Sequence, residues 1–227
     1  ELKAEASAMT EKRLLADFEV PTPDGSRRRV RMGGTVDHYS DEAGGTLTNY
    51  KCTTAYKAKK LHDDGPAALP EWVAAENCYS YLWQLHGFAI CKLRVCLLLK
   101  DWSMREREDA ANKFLCSKCS KNHMRDSKPG KEHAEFEDKS QVIWYPPTPI
   151  FMFDLPVWPR EQTNRYILER LELHVAAELC PDEQLAGCTS VETWNGRRCE
   201  HWCEVAHLCH QQRRSIVQPV LEKEDSK

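Results

Sequence analysis

The stretch Gly34–Lys57, GTVDHYSDEAGGTLTNYKCTTAYK, decides the fold. It alternates as two short strands, and Glu42–Gly45 supplies the turn between them. Asp37 lies on the first strand, and Asn49 and Lys51 lie on the second. Residues two apart on a strand share a face, so positions 49 and 51 project together. Paired strands run about 4.8 Å apart, close enough for carboxylates on both to share one ion. Such carboxylates hold Mg²⁺ or Mn²⁺, while a lysine orients an attacking water or steadies developing charge. An acid at position 49 would complete that site; Asn49 offers a carbonyl oxygen without the negative charge. Taken alone, Asp37 and Lys51 equally suit a solvent-exposed cross-strand ion pair worth under ~1 kcal/mol.

Outward from the hairpin, the segment before it, AEASAMTEKRLLADF, reads as the end of a helix with Met9, Leu14 and Leu15 as apolar positions. Lys57 to Pro70 reads as a polar loop. LPEWVAAENCYSYLWQLHG has Trp72, Val73, Tyr79, Leu82 and Leu85 at helical spacing, and Gly87 ends it. Trp72 is expected to pack in the core. FAICKLRVCLLLKDW is a buried strand, after which Asp101 is expected to cap the next helix. Residues 103–142 form a charged insertion that opens with a helix start. IFMFDLPVW is a further strand. PREQTNRYILERLELHVAAELC is a helix with Tyr166, Ile167, Leu171, Val175 and Leu179 on one face. The order helix, strand, strand, helix, strand, strand, helix gives an α/β architecture, and the hairpin makes its sheet mixed.

At 227 residues the chain suffices for one sizeable core, or one domain with an appendage. A formal net charge of -3 supplies no global basic field for nucleic acid. No apolar run approaches the roughly 20 residues that span a bilayer, and no signal peptide opens the sequence. The expected location is the cytoplasm, or a host's cytoplasm for a phage or viral protein. Opening at Glu1 without a methionine, the sequence reads as a fragment with upstream residues missing.

Gly34-Thr35-Val36-Asp37, Asn49-Tyr50-Lys51, the helix with Trp72, Asn77 and Tyr79, and Lys100-Asp101-Trp102-Ser103 occur in that order. Together they resemble the PD-(D/E)XK nuclease superfamily, in its RecB-like branch of phage and CRISPR-associated exonucleases. The correspondence runs from about Glu11 to His174. It implies a restriction-endonuclease-like mixed β-sheet flanked by helices, and metal-dependent hydrolysis of DNA, single-stranded DNA being favoured. By this resemblance Asp37 is the metal-binding aspartate and Lys51 the catalytic lysine. Asn49 stands in the place of the second acidic ligand, and the backbone carbonyl of Tyr50 is a further donor. The family's glutamine-x-x-x-tyrosine motif falls on Ala75 through Tyr79, so Tyr79 matches and Ala75 replaces the glutamine. The family's upstream acid or histidine lies on a first helix, expected before Glu1, with Glu11 as a stand-in.

The chain has 11 cysteines. Cys78, Cys91 and Cys96 sit in apolar patterns and are expected to act as small core hydrophobes. CTSVETWNGRRCEHWCEVAHLCHQ holds Cys188, Cys199, Cys203 and Cys209, the last three separated by three and five residues. Four thiolates there suit a four-cysteine iron–sulfur cluster or tetrahedral zinc, with Cys180, His201, His207 and His210 as substitutes. RecB-like exonucleases often carry a [4Fe-4S] cluster in the C-terminal segment, which favours iron–sulfur. Their spacing begins C-x2-C, however, and one of their cysteines lies upstream, whereas here the spacing is C-x3-C and none precedes Cys52. Cys116, Cys119 and His123, joined by His133, outline a second zinc knuckle in the insertion, with a solvated charged loop as the alternative. Lys118, Lys121, Arg125, Lys128 and Lys131 beside it are expected to be solvated.

The sequence therefore reads as a nuclease domain over 1–179, a cysteine-rich metal-binding segment over 180–215 and a tail over 216–227, whose final VLEKEDSK is expected to be disordered. The expected activity is phosphodiester hydrolysis, of exonuclease type. Because of Asn49 and Ala75, the alternative is a DNA-binding or assembly module that kept the fold and lost the chemistry.

Overall fold

The computed structural model describes residues 8–140, 143–181, 187–190, 192–193, 195–201, 203–204 and 209. The tail over 216–227, His207 and His210 lie outside the described residues. In chain order the strands and α-helices are β1 (Ala8–Pro21), β2 (Arg27–Ser40), β3 (Thr46–Thr53), α1 (Ala55–Asp64), α2 (Pro70–Leu85) and β4 (Lys92–Leu99). There follow α3 (Met104–Ala111), β5 (Lys113–Leu115), β6 (Asn122–Met124), α4 (Lys128–Glu132), β7 (Ile150–Leu155), α5 (Arg160–Leu179) and α6 (Arg197–His201). Five strands form a mixed sheet in the order β1-β2-β3-β4-β7, and β5 and β6 form a separate two-stranded sheet. β2 and β3 are antiparallel, β3 and β4 parallel, and β4 and β7 antiparallel. The parallel pair requires a crossover, which α1 and α2 provide. The described residues fall into two compact units, one within Glu1–Val20 and Arg28–Glu169, the other within Pro21–Arg27 and Arg170–Lys227.

The core of the first unit explains the crossover. Leu93, Val95, Leu97 and Leu99 alternate along β4 and are buried, so one face of the sheet is apolar. Val73, Leu82 and Trp83 of α2 join that cluster, with Ala58 and Leu61 of α1. Trp83 stacks on Tyr39 of β2 at 4.8 Å between ring centroids, and Phe88 closes the group 4.7 Å from Trp83.

Several expectations are corrected. The N-terminal segment is a strand: Leu14, Phe18 and Val20 are buried at even spacing, a period of two rather than 3.6. Glu11, at φ 49°, marks where that alternation slips by one residue. The segment after Lys57 is helical, because Ala55, Ala58 and Leu61 make a narrow buried stripe beneath its charges. Thr54 caps α1 by accepting the Lys57 N–H at 3.4 Å. Asp101 also caps α1, accepting the Ala55 N–H at 2.7 Å, whereas Ser103 caps α3. Of the three cysteines expected in the core, Cys96 is buried, Cys78 half-buried and Cys91 exposed. Trp72 is half-buried against the core. On α5, Ile167 and Val175 are buried but Leu179 is 57% exposed, off the buried face. Among the described residues no helix is long and apolar enough to cross a membrane.

Candidate functional site

Extending the β2–β3 register by one residue from His38↔Thr48 sets Asp37 opposite Asn49. There side chains replace the backbone ladder. Asn49 Oδ1 accepts the Asp37 N–H at 2.9 Å, and Asp37 Oδ2 accepts the Tyr50 N–H at 2.7 Å. In the parallel register Asn49 lies beside Val95 and Lys51 beside Leu97, so both point to the face that carries the core. α2 covers this face, and it brings Glu76.

Glu76 is 1% exposed. Its Oε2 accepts a hydrogen bond from Asn49 Nδ2, and its Oε1 stands 3.1 Å from Lys51 Nζ. That contact is an ion pair whose angles fall outside hydrogen-bond geometry, so Oε1 keeps no hydrogen-bond partner. Burial raises the Glu76 carboxyl above its ordinary range, and nearby Asp37 adds to this; Lys51 and Asn49 pull it back only in part. The result is one polar chain with a buried centre: half-buried Asp37 backbone, buried Asn49 amide and Glu76 carboxyl, half-buried Lys51 ammonium.

The structure thus brings Asp37, Asn49 and Lys51 together, as the sequence suggested, and adds Glu76. The family motif does not point to Glu76, since it falls on Ala75 and Tyr79. The available signal was its place among Val73, Asn77 and Ser80, buried residues at helical spacing on α2, where a carboxylate needs a partner. Ala75 is half-buried beside it. Tyr79 lies one turn on and rests against β2: a Cβ on Gly34 would sit 2.5 Å from the Tyr79 ring, so only glycine permits this approach. Tyr50 is 51% exposed, and its backbone N–H serves Asp37. Glu11 is exposed on β1. Asn77 is structural: it donates to the Val73 and Pro156 carbonyls and accepts the Trp158 N–H, tying α2 to the chain beyond β7.

The insertion carries a second cluster. The ligand atoms of Cys116, Cys119, His123 and His133 all lie within 4.8 Å of one another. Burial acts to raise the Cys116 thiol, but the Cys119 and Lys118 N–H groups and His133 outweigh it and hold it down to about 7. Of the neighbouring cations, Arg125 pairs with Glu137 at 2.6 Å and Lys118 lies 4.5 Å from the Phe136 ring centroid.

In the second unit, tight local turns gather the late cysteines. The Glu192 carboxylate accepts the N–H and hydroxyl of Thr189, whose hydroxyl oxygen accepts the Glu192 N–H. Asn195 and Gly196 then take positive φ, turning the chain into α6. Cys199 on that helix has its thiol pushed up by burial and by the nearby thiols of Cys203, Cys188 and Cys209. All four sequence-nominated cysteines are free of disulfides, but among the described residues no three of their thiols lie within 4.8 Å of one another, as the ligand atoms of the Cys116 cluster do. Cys180 is half-buried and His201 exposed.

A cleft of about 410 Å³ lined by Tyr56, Lys59, Asp101, Glu106, Trp144 and Tyr145, among others, contains none of these residues.

No protein-family model and no curated protein matches the chain. A solved structure titled "Crystal structure of SSO0001" is similar over 90% of this chain, at 11% identity and a TM-score of 0.42. The chain spans 60% of that protein's length.

Proposed function

We propose that the chain is a metal-dependent DNA nuclease of the PD-(D/E)XK type and RecB-like branch, built on a restriction-endonuclease-like sheet. One observation carries this reading: a buried carboxylate, Glu76, is held between Lys51 and Asn49 at the point where Asp37 enters the hairpin. Glu76 Oε1 and the Asp37 carboxylate are hard oxygen donors, suited to Mg²⁺ or Mn²⁺. Glu76 supplies the second negative charge that position 49 lacks. Asn49 becomes the brace, with its amide carbonyl on Asp37 and its NH₂ on Glu76. The Tyr50 carbonyl is a third candidate donor. A divalent ion there would polarise water and neutralise charge developing on phosphate.

The remaining roles belong to the chain itself. Lys51, 28% exposed at its side chain, directs its ammonium to the attacking water or a phosphate oxygen while Glu76 fixes its position. Tyr79 against Gly34 sets the spacing of α2 from β2. The substrate is DNA, with single strands favoured. Cys188, Cys199, Cys203 and Cys209 would hold a [4Fe-4S] cluster, or alternatively zinc, in a structural role; the close sequence spacing of Cys199, Cys203 and Cys209 supports that donor set.

The test is cleavage of end-labelled single- and double-stranded DNA with Mg²⁺ or Mn²⁺. EDTA-sensitive cutting is expected, reduced at least ~100-fold by Lys51→Ala. Cutting that survives Lys51→Ala sinks the reading. The second reading, a DNA-binding or assembly module without catalysis, is favoured by the Asn49 amide being bonded at both ends. It expects DNA retention without cleavage, with cutting restored only by Asn49→Asp.

A further inference from the structure

The segment from Lys113 to Asp138 folds with almost no core. Phe114, Cys116 and Gly130 are its buried residues, and the rest is half-buried or exposed. Its sheet has two strands of three residues each, and an isolated two-stranded hairpin is marginal in water. The segment is nonetheless tightly organised. The Cys116 N–H donates to the Lys121 carbonyl at 3.0 Å and the Ser120 N–H to the Cys116 carbonyl at 2.8 Å, closing a short knuckle over Cys116–Cys119. The Ser117 N–H reaches the Phe136 carbonyl at 2.8 Å, and the Asp138 N–H reaches the Leu115 carbonyl at 2.9 Å, drawing in the far end. Gly130 lets α4 press against β6, since a Cβ there would lie 1.8 Å from the Met124 carbonyl oxygen.

We propose that Cys116, Cys119, His123 and His133 bind one tetrahedral Zn²⁺ as a closed structural site. The geometry is already close to what the ion requires. Cys116 Sγ lies 3.3 Å from His133 Nδ1, and Cys119 Sγ lies 3.2 Å from His123 Nε2. Zn–S bonds of about 2.3 Å and Zn–N bonds of about 2.0 Å in a tetrahedron put such neighbours roughly 3.5 Å apart. The two imidazoles stack at 4.8 Å between ring centroids, which holds both rings beside the thiols. Two thiolates balance the charge of Zn²⁺, and four protein donors leave no open position, so the ion is structural rather than hydrolytic. A disulfide is absent, since both cysteines are free. This site stands independently of the nuclease reading.

The experiment is metal analysis of the full chain purified without added metal or chelator. It is compared with Cys116→Ser/Cys119→Ser and, to separate the late cysteines, with Cys199→Ser/Cys203→Ser. The expected result is zinc lost from the insertion variant in an amount of one per chain and retained at this site in the late-cysteine variant. Zinc content unchanged in the insertion variant, or no zinc in the unmutated chain, overturns the proposal. Misfolding of the double variant is separated by His133→Cys, which replaces imidazole by thiolate and is expected to keep zinc, against His133→Ala, which is expected to lose it. Equal zinc content in these two overturns the proposal as well. Cobalt substitution supplies a second readout: the tetrahedral Co²⁺ visible bands are expected in the unmutated chain and absent from His133→Ala.

Discussion

The Glu76 network and the Cys116 cluster belong to the same compact unit yet rest on opposite physics. Around Glu76, the apolar residues come first. Val95, Leu97, Val73 and Leu82 hold β3, β4 and α2 together, and the polar chain is buried inside a packing that stands without it. Around Cys116 the order is reversed: Phe114 is the one large apolar side chain buried between Lys113 and Asp138, so the ligands themselves are the core. A site built on a packed core can lose its ligand and stay folded, whereas a site that is the core cannot.

The largest break in this contrast comes from removing zinc. Binding at structural sites is worth on the order of 10 kcal/mol at neutral pH, and it appears as folding energy. Cys116→Ser/Cys119→Ser is expected to speed amide hydrogen exchange across residues 113–138 by several orders of magnitude, while β3 and β4 keep their protection. Equal loss in both regions would show that the insertion is not separately stabilised. Next comes Glu76→Ala, which strands the Lys51 ammonium and the Asn49 amide. It is expected to cost about 3 kcal/mol in denaturant unfolding. Glu76→Gln, which keeps the shape and removes the charge, is expected to cost far less.

The pH dependence sharpens the same point. Burial raises the Glu76 carboxyl in the folded state, so its contribution to stability is full below the ordinary carboxylate range and is lost as pH rises through the raised value. Without metal, thermal scans are expected to show Glu76→Gln gaining on the unmutated chain as pH rises through that window. Mg²⁺ or Mn²⁺, which takes the charged form, is expected to narrow the gap; an unchanged gap would argue against Glu76 as a ligand. A smaller effect is expected from Gly34→Ala, which forces Tyr79 away from β2 and should cost about 1–3 kcal/mol. Smallest is Asp101→Ala, which removes one of the two caps on α1, leaving Thr54, and is expected to cost about 1 kcal/mol.

Legibility followed the strength of local pattern. The hairpin, α2, β4 and β7 could be read because each carries a periodic apolar face over enough residues. β1 was misread because Leu14 and Leu15 are adjacent, and two neighbouring leucines satisfy a helical stripe as easily as a strand; Phe18 and Val20 resolve it only when the period is followed further. α1 was missed because its buried stripe is three small or single residues wide under a run of lysines. Asp101 lies at a strand end next to α3 in sequence, but it caps α1 across 46 positions, a pairing that sheet register alone creates.

The sequence by itself determined the α/β class, the hairpin that carries Asp37, Asn49 and Lys51, and the two sets of closely spaced cysteines. Those follow from periodicity and spacing, which are local and survive in one dimension. Only the tertiary structure decided that Glu76 meets Lys51 and Asn49, that the insertion gathers its knuckle ligands rather than leaving them in a solvated loop, and that Asn49 serves as a brace between backbone and carboxylate. Each of these depends on where a helix lands on a sheet or a loop returns to a strand. That choice is made by burying apolar surface elsewhere in the molecule, so the residues it brings together carry at most an indirect signal of their pairing.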